Sequence, residues 1–246
     1  MLRIPGDDVR AVAIVRAIQI GDAEALQRQL RDSPDLAAAG IVDDRGVSRT
    51  LLHIVADWPG HFPNGPSIVA TLIAAGADVN AGVVHPGPNG SPATALHWAA
   101  SSGDVDVLDA LLDRGADIEA AGAAFAGGPP MSDAVVFAQW RAARRLLERG
   151  ATTTIWQAAA LGLLGRVHRF CLQTPPPAAE YITNAFWHAC RGGQRAVAEH
   201  LLRRGADLNW IGYESKTPLD VAHESRAGDL VEWLLASGAK RAVELR

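Results

Sequence analysis

Residues 94–120 read TALHWAASSGDVDVLDALLDRGADIEA, and residues 217–239 read TPLDVAHESRAGDLVEWLLASGA. Laid over each other, the two stretches share Thr, Leu, Ala, Leu-Leu and Gly-Ala at the same offsets. Residues 184–209, NAFWHACRGGQRAVAEHLLRRGADLN, repeat the scheme between them. Aligned on the closing glycine, the segments end at Gly76, Gly115, Gly150, Gly205 and Gly238, the last two 33 residues apart. Self-similarity at a period of this length means stacked supersecondary units, none of which can bury its apolar face alone.

Each recurring residue has a local physical task. Thr94 and Thr217 stand where a hydroxyl caps a helix N-terminus, and Pro218 suits the first helical turn, whose N–H has no partner in any case. Ala99, Ala100 and Ala189 are small where two helices must approach closely. Gly103 and Gly193 allow a tight turn, after which Val107, Leu108, Leu111 and Leu112 form the apolar stripe of a second helix. The glycine of each Gly-Ala pair suits the left-handed conformation that ends that helix.

This pattern resembles the ankyrin family, over residues 9–239. The resemblance implies an all-α ankyrin-repeat solenoid of about seven helix-turn-helix units with β-hairpin-like fingers. We expect a single domain, residues 1–246, with units near 9–40, 43–81, 83–120, 121–151, 152–178, 179–210 and 211–240. The first unit lacks the Thr-His start, as suits a solvent-facing cap. The second carries an insertion, DWPGHFPNGP, between its helices, and a long finger, GVVHPGPNGSPA, precedes the third. The fourth replaces Thr and His by Pro129 and Ser132 and puts Ala138 and Gln139 at the inter-helix turn. The fifth, TIWQAAALGLLGRVHRFCL, ends in Pro175-Pro176-Pro177 instead of Gly-Ala-Asp, which predicts a bend or shifted hairpin near residues 150–182. In the seventh, Arg226 takes the place of the turn glycine.

Composition narrows the function. The chain is 48% hydrophobic and 20% charged, and its formal net charge of −4 offers no basic field for phosphate backbones, so no nucleic-acid partner is expected. No apolar run approaches a membrane span and the N-terminus lacks the apolar core of a secretory signal, so a cytoplasmic chain without a membrane partner is expected. Cys171 and Cys190 read as small core residues. No phosphate loop, G-x-S-x-G, G-x-G-x-x-G or H-E-x-x-H occurs, so no cofactor and no metal is expected and an enzyme is disfavoured. Asp133, His188 and Asp220 are the weak candidates for an acid–base pair. His53 and His97 match the family's histidine, which the resemblance makes a hydrogen-bonded bridge between neighbouring repeats.

Partner binding in the family, by the same resemblance, uses the concave side, the finger tips and the exposed side of the first helices. Carried onto this chain, that gives Trp58, Ser101, Ser102, Val136, Phe137, Arg191 and Glu224. Trp58 and Phe137 are the large apolar members, so they either bind something or lie under the insertion. Seven tryptophans, with Trp98, Trp156 and Trp187 in first-helix opening turns, fit either packing between repeats or an aromatic lining. The leading expectation is a protein-binding scaffold or adaptor. The alternatives are a small-molecule binder or enzyme with an aromatic pocket in units four and five (Phe125, Trp140, Trp156), and, for an Ala-, Arg- and Gly-rich chain of bacterial type, an immunity protein that inhibits a toxin.

Overall fold

In the computed structural model, residues 2–87, 90–125 and 127–245 are described, so Pro88 and Asn89 of the long finger lie outside them. The chain forms two compact units, residues 1–152 and 153–246. In the first, four helical hairpins follow one another: α1 (Val9–Ile20) and α2 (Ala23–Asp32), α3 (Leu51–Ala56) and α4 (Gly65–Ala74), α5 (Ala95–Ser102) and α6 (Val105–Leu112), α7 (Pro130–Val136) and α8 (Trp140–Glu148). First helices pack on first helices, α1 on α3, α3 on α5 and α5 on α7, and second helices form their own layer, α2 on α4, α4 on α6 and α6 on α8. Strand β1 (Arg3–Pro5) runs parallel to β2 (Gly40–Val42), which turns back into β3 (Ser48–Thr50) as a finger. The fingers are tied on by bridges from Ser48 to Val84 and from Gly82 to Thr94.

In the second unit, α9 (Ile155–Ala160) with α10 (Leu164–Cys171), α11 (Ala179–Arg191) with α12 (Arg195–Leu202), and α13 (Pro218–Glu224) with α14 (Gly228–Ala236) repeat the scheme. Its core runs through Ala158, Val167, Phe186, Trp187, Leu201, Leu219 and Leu234. The fold is thus the ankyrin-repeat solenoid fold, mostly helical with hairpin fingers.

Caps explain why these short helices hold at all. At α5, the Thr94 side chain and the His97 side chain satisfy each other's backbone amides across the first turn, and Thr50 with His53, Thr154 with Gln157 and Thr217 with Asp220 do the same. Between the paired helices the chain passes through the left-handed region at Gly21, Gly103, Gly162 and Gly193, with φ of 74°, 76°, 75° and 71°. Two hairpins turn there without glycine, at Ala138 (φ 55°) and Arg226 (φ 58°). A Cβ in that conformation crowds its own carbonyl. Ala138→Gly and Arg226→Gly are therefore each expected to stabilise the chain by about 0.5–1 kcal/mol, read as higher midpoints in chemical denaturation; lower midpoints would show that another contact holds these turns.

Candidate functional site

The register of the repeat decides what stands beside what. Counting from the cap, the fourth helical residue is Ile54 in α3, Trp98 in α5 and Asp133 in α7, so a tryptophan and a carboxyl fall at equivalent positions of two helices that pack together. Around them the structure places Trp58, just past the end of α3, Ser101 on α5 and Phe137, just past the end of α7. With Ala56, Asp57, Ala93 and Ala124 these residues line a cavity of about 190 Å³.

The insertion supplies one wall and is held firmly. His61 N–H donates to Asp104 Oδ2 at 2.7 Å, while Asp104 Oδ1 accepts the Val107 N–H at 3.1 Å and so caps α6. Further on, Asn64 Nδ2 donates to the Gly21 carbonyl at 2.9 Å. Pinned in this way, the insertion leaves Trp58 uncovered, at 67% exposure. Phe137 is 40% exposed and pairs with the more exposed Phe125, ring centroids 5.8 Å apart.

Asp133 is the unusual group, a carboxyl only 3% exposed that lines the cavity. Its Oδ1 accepts the Ala124 N–H at 3.0 Å. Burial pushes its pKa from the ordinary 3.8 up to about 6, against the smaller opposing pull of that amide. The other carboxylate, Asp57, is raised by burial and drawn back by its own hydrogen bond from the Trp58 amide and by Arg49. Arg49 reaches Asp57 at 3.3 Å and rests 5.8 Å from the centre of the Trp98 ring.

A carboxyl whose folded pKa is raised destabilises the fold wherever it is ionised, above about pH 6, and contributes nothing unfavourable below 3.8. Asp133→Asn keeps an oxygen for the Ala124 amide and removes the charge. It is expected to stabilise the chain by about 1–2 kcal/mol at pH 7.5 and by far less at pH 4. Denaturation at the two pH values checks this, and equal effects at both would remove the desolvation account.

In the second unit a different aromatic cluster forms. His188 lies 4.7 Å from Trp156, 5.0 Å from Trp187 and 5.6 Å from Tyr213, centroid to centroid. Burial, with Arg191 adding to it, lowers the His188 pKa to about 3, and its Nδ1 has no hydrogen-bond partner among the described residues. Arg191 lies over the Trp187 ring at 5.8 Å. Trp187 itself occupies the place held by His53 and His97 in other repeats. His53 Nε2–H donates to the Ala93 carbonyl at 2.9 Å, His97 to Gly128 at 3.2 Å, and Trp187 Nε1–H to Lys216 at 3.0 Å.

The remaining expected site residues have plain surroundings. Ser101 and Ser102 donate to the carbonyls of Trp98 and Ala99 in their own helix, and Val136 is half-buried at the end of α7. Glu224 is exposed and pairs with Lys216 at 2.8 Å. Asp220 acts as a cap: its Oδ2 accepts the amides of Thr217 and Ala242, each at 3.0 Å. So Trp58, Ser101, Phe137 and Asp133 come together at one cavity, Val136 adjoins it, and Arg191 and His188 belong to the second cluster. Arg49 escaped notice in the sequence; its only signal was a position beside the cap residue Thr50. Among the described residues no group of three or more His, Cys, Asp or Glu side chains is placed to hold a metal, and no helix is long and apolar enough to cross a membrane.

Comparison with known proteins gives three findings. Residues 14–121 match the family model for ankyrin repeats, in three copies. An ankyrin-repeat and KH-domain-containing protein of Caenorhabditis briggsae is 30% identical over 183 residues, which is 71% of this chain and 7% of that relative's length. The crystal structure of the human ASB11 ankyrin-repeat domain is 25% identical, covers 78% of this chain and 71% of its own, and superposes with a TM-score of 0.42.

Proposed function

This chain is an ankyrin-repeat protein, and from that premise we propose that it works as a scaffold that holds a protein partner on the surface around Trp58 and Phe137. Ankyrin repeats are in general protein-interaction modules. The observation that carries the proposal is the convergence of two exposed aromatic side chains, from an insertion and from a helix end, on one cavity beside a buried carboxyl. Exposed aromatics that a fold does not need are the usual anchors of an interface, where single truncations cost 2 kcal/mol or more. The pinning of the insertion by Asp104 and Gly21 supports the same reading, because it holds Trp58 in place before any partner arrives.

A small-molecule site is the weaker reading of this cavity. At about 190 Å³ it falls below the roughly 300–1,000 Å³ of most ligand pockets, and it is enough for one side chain of a partner. An adaptor and a toxin-blocking immunity protein would both use such a surface, and both remain within the proposal, as does action in the cytoplasm without nucleic acid or membrane.

The test is retention of native protein from the source lysate on the immobilised full chain. Wild type is expected to hold a stoichiometric protein that the Trp58→Ala/Phe137→Asp variant loses, while Arg144→Ala, on an exposed position of α8, keeps it. Equal retention by wild type and the double variant would end the proposal.

A further inference from the structure

We propose that the cavity between α5 and α7 seats one basic side chain, lysine or arginine, of the partner, its cation against the rings of Trp58 and Phe137 and paired with the carboxylate of Asp133. This rests on the docking surface proposed above and names the chemistry it selects.

Arg49 and Asp57 neutralise each other at 3.3 Å, which leaves the negative charge of Asp133 without a countercharge among the described residues of the wall. An apolar side chain entering here would satisfy the rings but seal an unpaired carboxylate away from water, which is costly. An acidic side chain would add a like charge. A neutral polar one could pair with Asp133 yet would gain little from the aromatic faces. Only a cation uses both, through attraction to the rings and a charge-assisted hydrogen bond to the carboxylate.

Size and precedent agree. About 190 Å³ suits one long side chain, and both lysine and arginine carry an apolar stem that can fill the mouth of the cavity while the charged head meets the rings and Asp133. The protein already sets a guanidinium on another ring of this cavity, since Arg49 rests 5.8 Å from the centre of Trp98. The position of Asp133 also makes sense in these terms. A carboxyl at 3% exposure is unfavourable for the free fold, and the partner's cation would relieve that penalty on binding.

The experiment uses the full chain and a display library of random dodecapeptides. Enrichment on wild type is compared with enrichment on Trp58→Ala/Phe137→Asp, and selected peptides are measured by fluorescence anisotropy. We expect the enriched peptides to share a lysine or arginine, and replacing that residue by norleucine to weaken binding at least tenfold. Asp133→Asn should weaken the basic peptide at least tenfold and remove the difference between it and its norleucine counterpart. This variant relieves a buried charge, so loss of folding does not confound the result; circular dichroism confirms it. Peptides that need Trp58 and Phe137 but lack a basic residue, or that ignore Asp133→Asn, overturn this inference and leave the docking surface standing. No enrichment over the double variant overturns both.

Discussion

Trp187→Ala is expected to destabilise residues 153–246 by about 4–5 kcal/mol, the largest effect of any single substitution considered. Trp187 is 1% exposed and sits in the middle of that unit's core. Truncation removes the transfer free energy of an indole and leaves a cavity that short helices fixed at both ends cannot close. It also removes one of the two hydrogen bonds to the Lys216 carbonyl, the Nε1–H at 3.0 Å, and leaves that oxygen the Gly212 amide at 2.9 Å. The two contributions can be separated. Trp187→Phe keeps much of the volume and loses the donor, and should cost about 1–3 kcal/mol from the smaller void and the lost hydrogen bond together. Trp187→His restores the residue found at this place in α3 and α5, with a donor able to reach the carbonyl, but leaves a void and should fall between the other two. Urea denaturation, with hydrogen exchange reporting the amides of residues 153–246, gives the order. An alanine variant less than about 1 kcal/mol below wild type would mean that this core does not depend on the bridge.

The same residue shows how far the sequence could be read. The fold was legible because its signals are local: Thr94 caps the helix it begins, Gly103 turns the chain it stands in, and Gly115 ends the helix before it. None of these needs a distant partner to be interpreted. Trp187 was readable either as packing between repeats or as an aromatic lining, and its role as the stand-in for a histidine emerges only from the Lys216 carbonyl, which lies beyond the next finger. Trp58 and Phe137 were readable as a pair of alternatives, bound or covered. What decides their exposure is the path of the insertion, set by an Asp104 that also caps α6 and by a carbonyl at Gly21, contacts across 43 residues of chain. Asp133 and Asp220 looked alike as acidic residues near first-helix starts. Desolvation separates them, because Asp220 is held ionised by two backbone amides while Asp133 has one and is buried.

Acidification is expected to act on the two units unequally, through histidines that bury their neutral form. His53 accepts the Thr50 N–H at Nδ1 at 3.2 Å and donates from Nε2 to the Ala93 carbonyl, so its neutral tautomer is fixed and a second proton has nowhere favourable to go. Burial lowers its pKa to about 4 and that of His188 to about 3, against 6.5 for the unfolded chain. Each therefore contributes stability that is complete above pH 6.5. It is lost as pH falls, because the unfolded state takes up the proton first. At pH 5 the loss approaches about 2 kcal/mol for each histidine. In residues 1–152 Asp133 works in the opposite direction: protonation between about pH 6 and 3.8 relieves its buried charge and offsets part of the His53 loss. Residues 153–246 have His188 and, among the described residues, no buried carboxyl to offset it, so their amides should lose more exchange protection between pH 7 and pH 5. Two variants sharpen the comparison. Asp133→Asn should make residues 1–152 more acid-sensitive by removing the compensating group. His53→Gln should make them less so, since α9 already uses Gln157 in that place, its Oε1 accepting the Thr154 N–H at 2.8 Å without titrating. If protection in both units falls equally and His53→Gln changes nothing, acid lability must come from surface carboxylates and the buried imidazoles have no part in it.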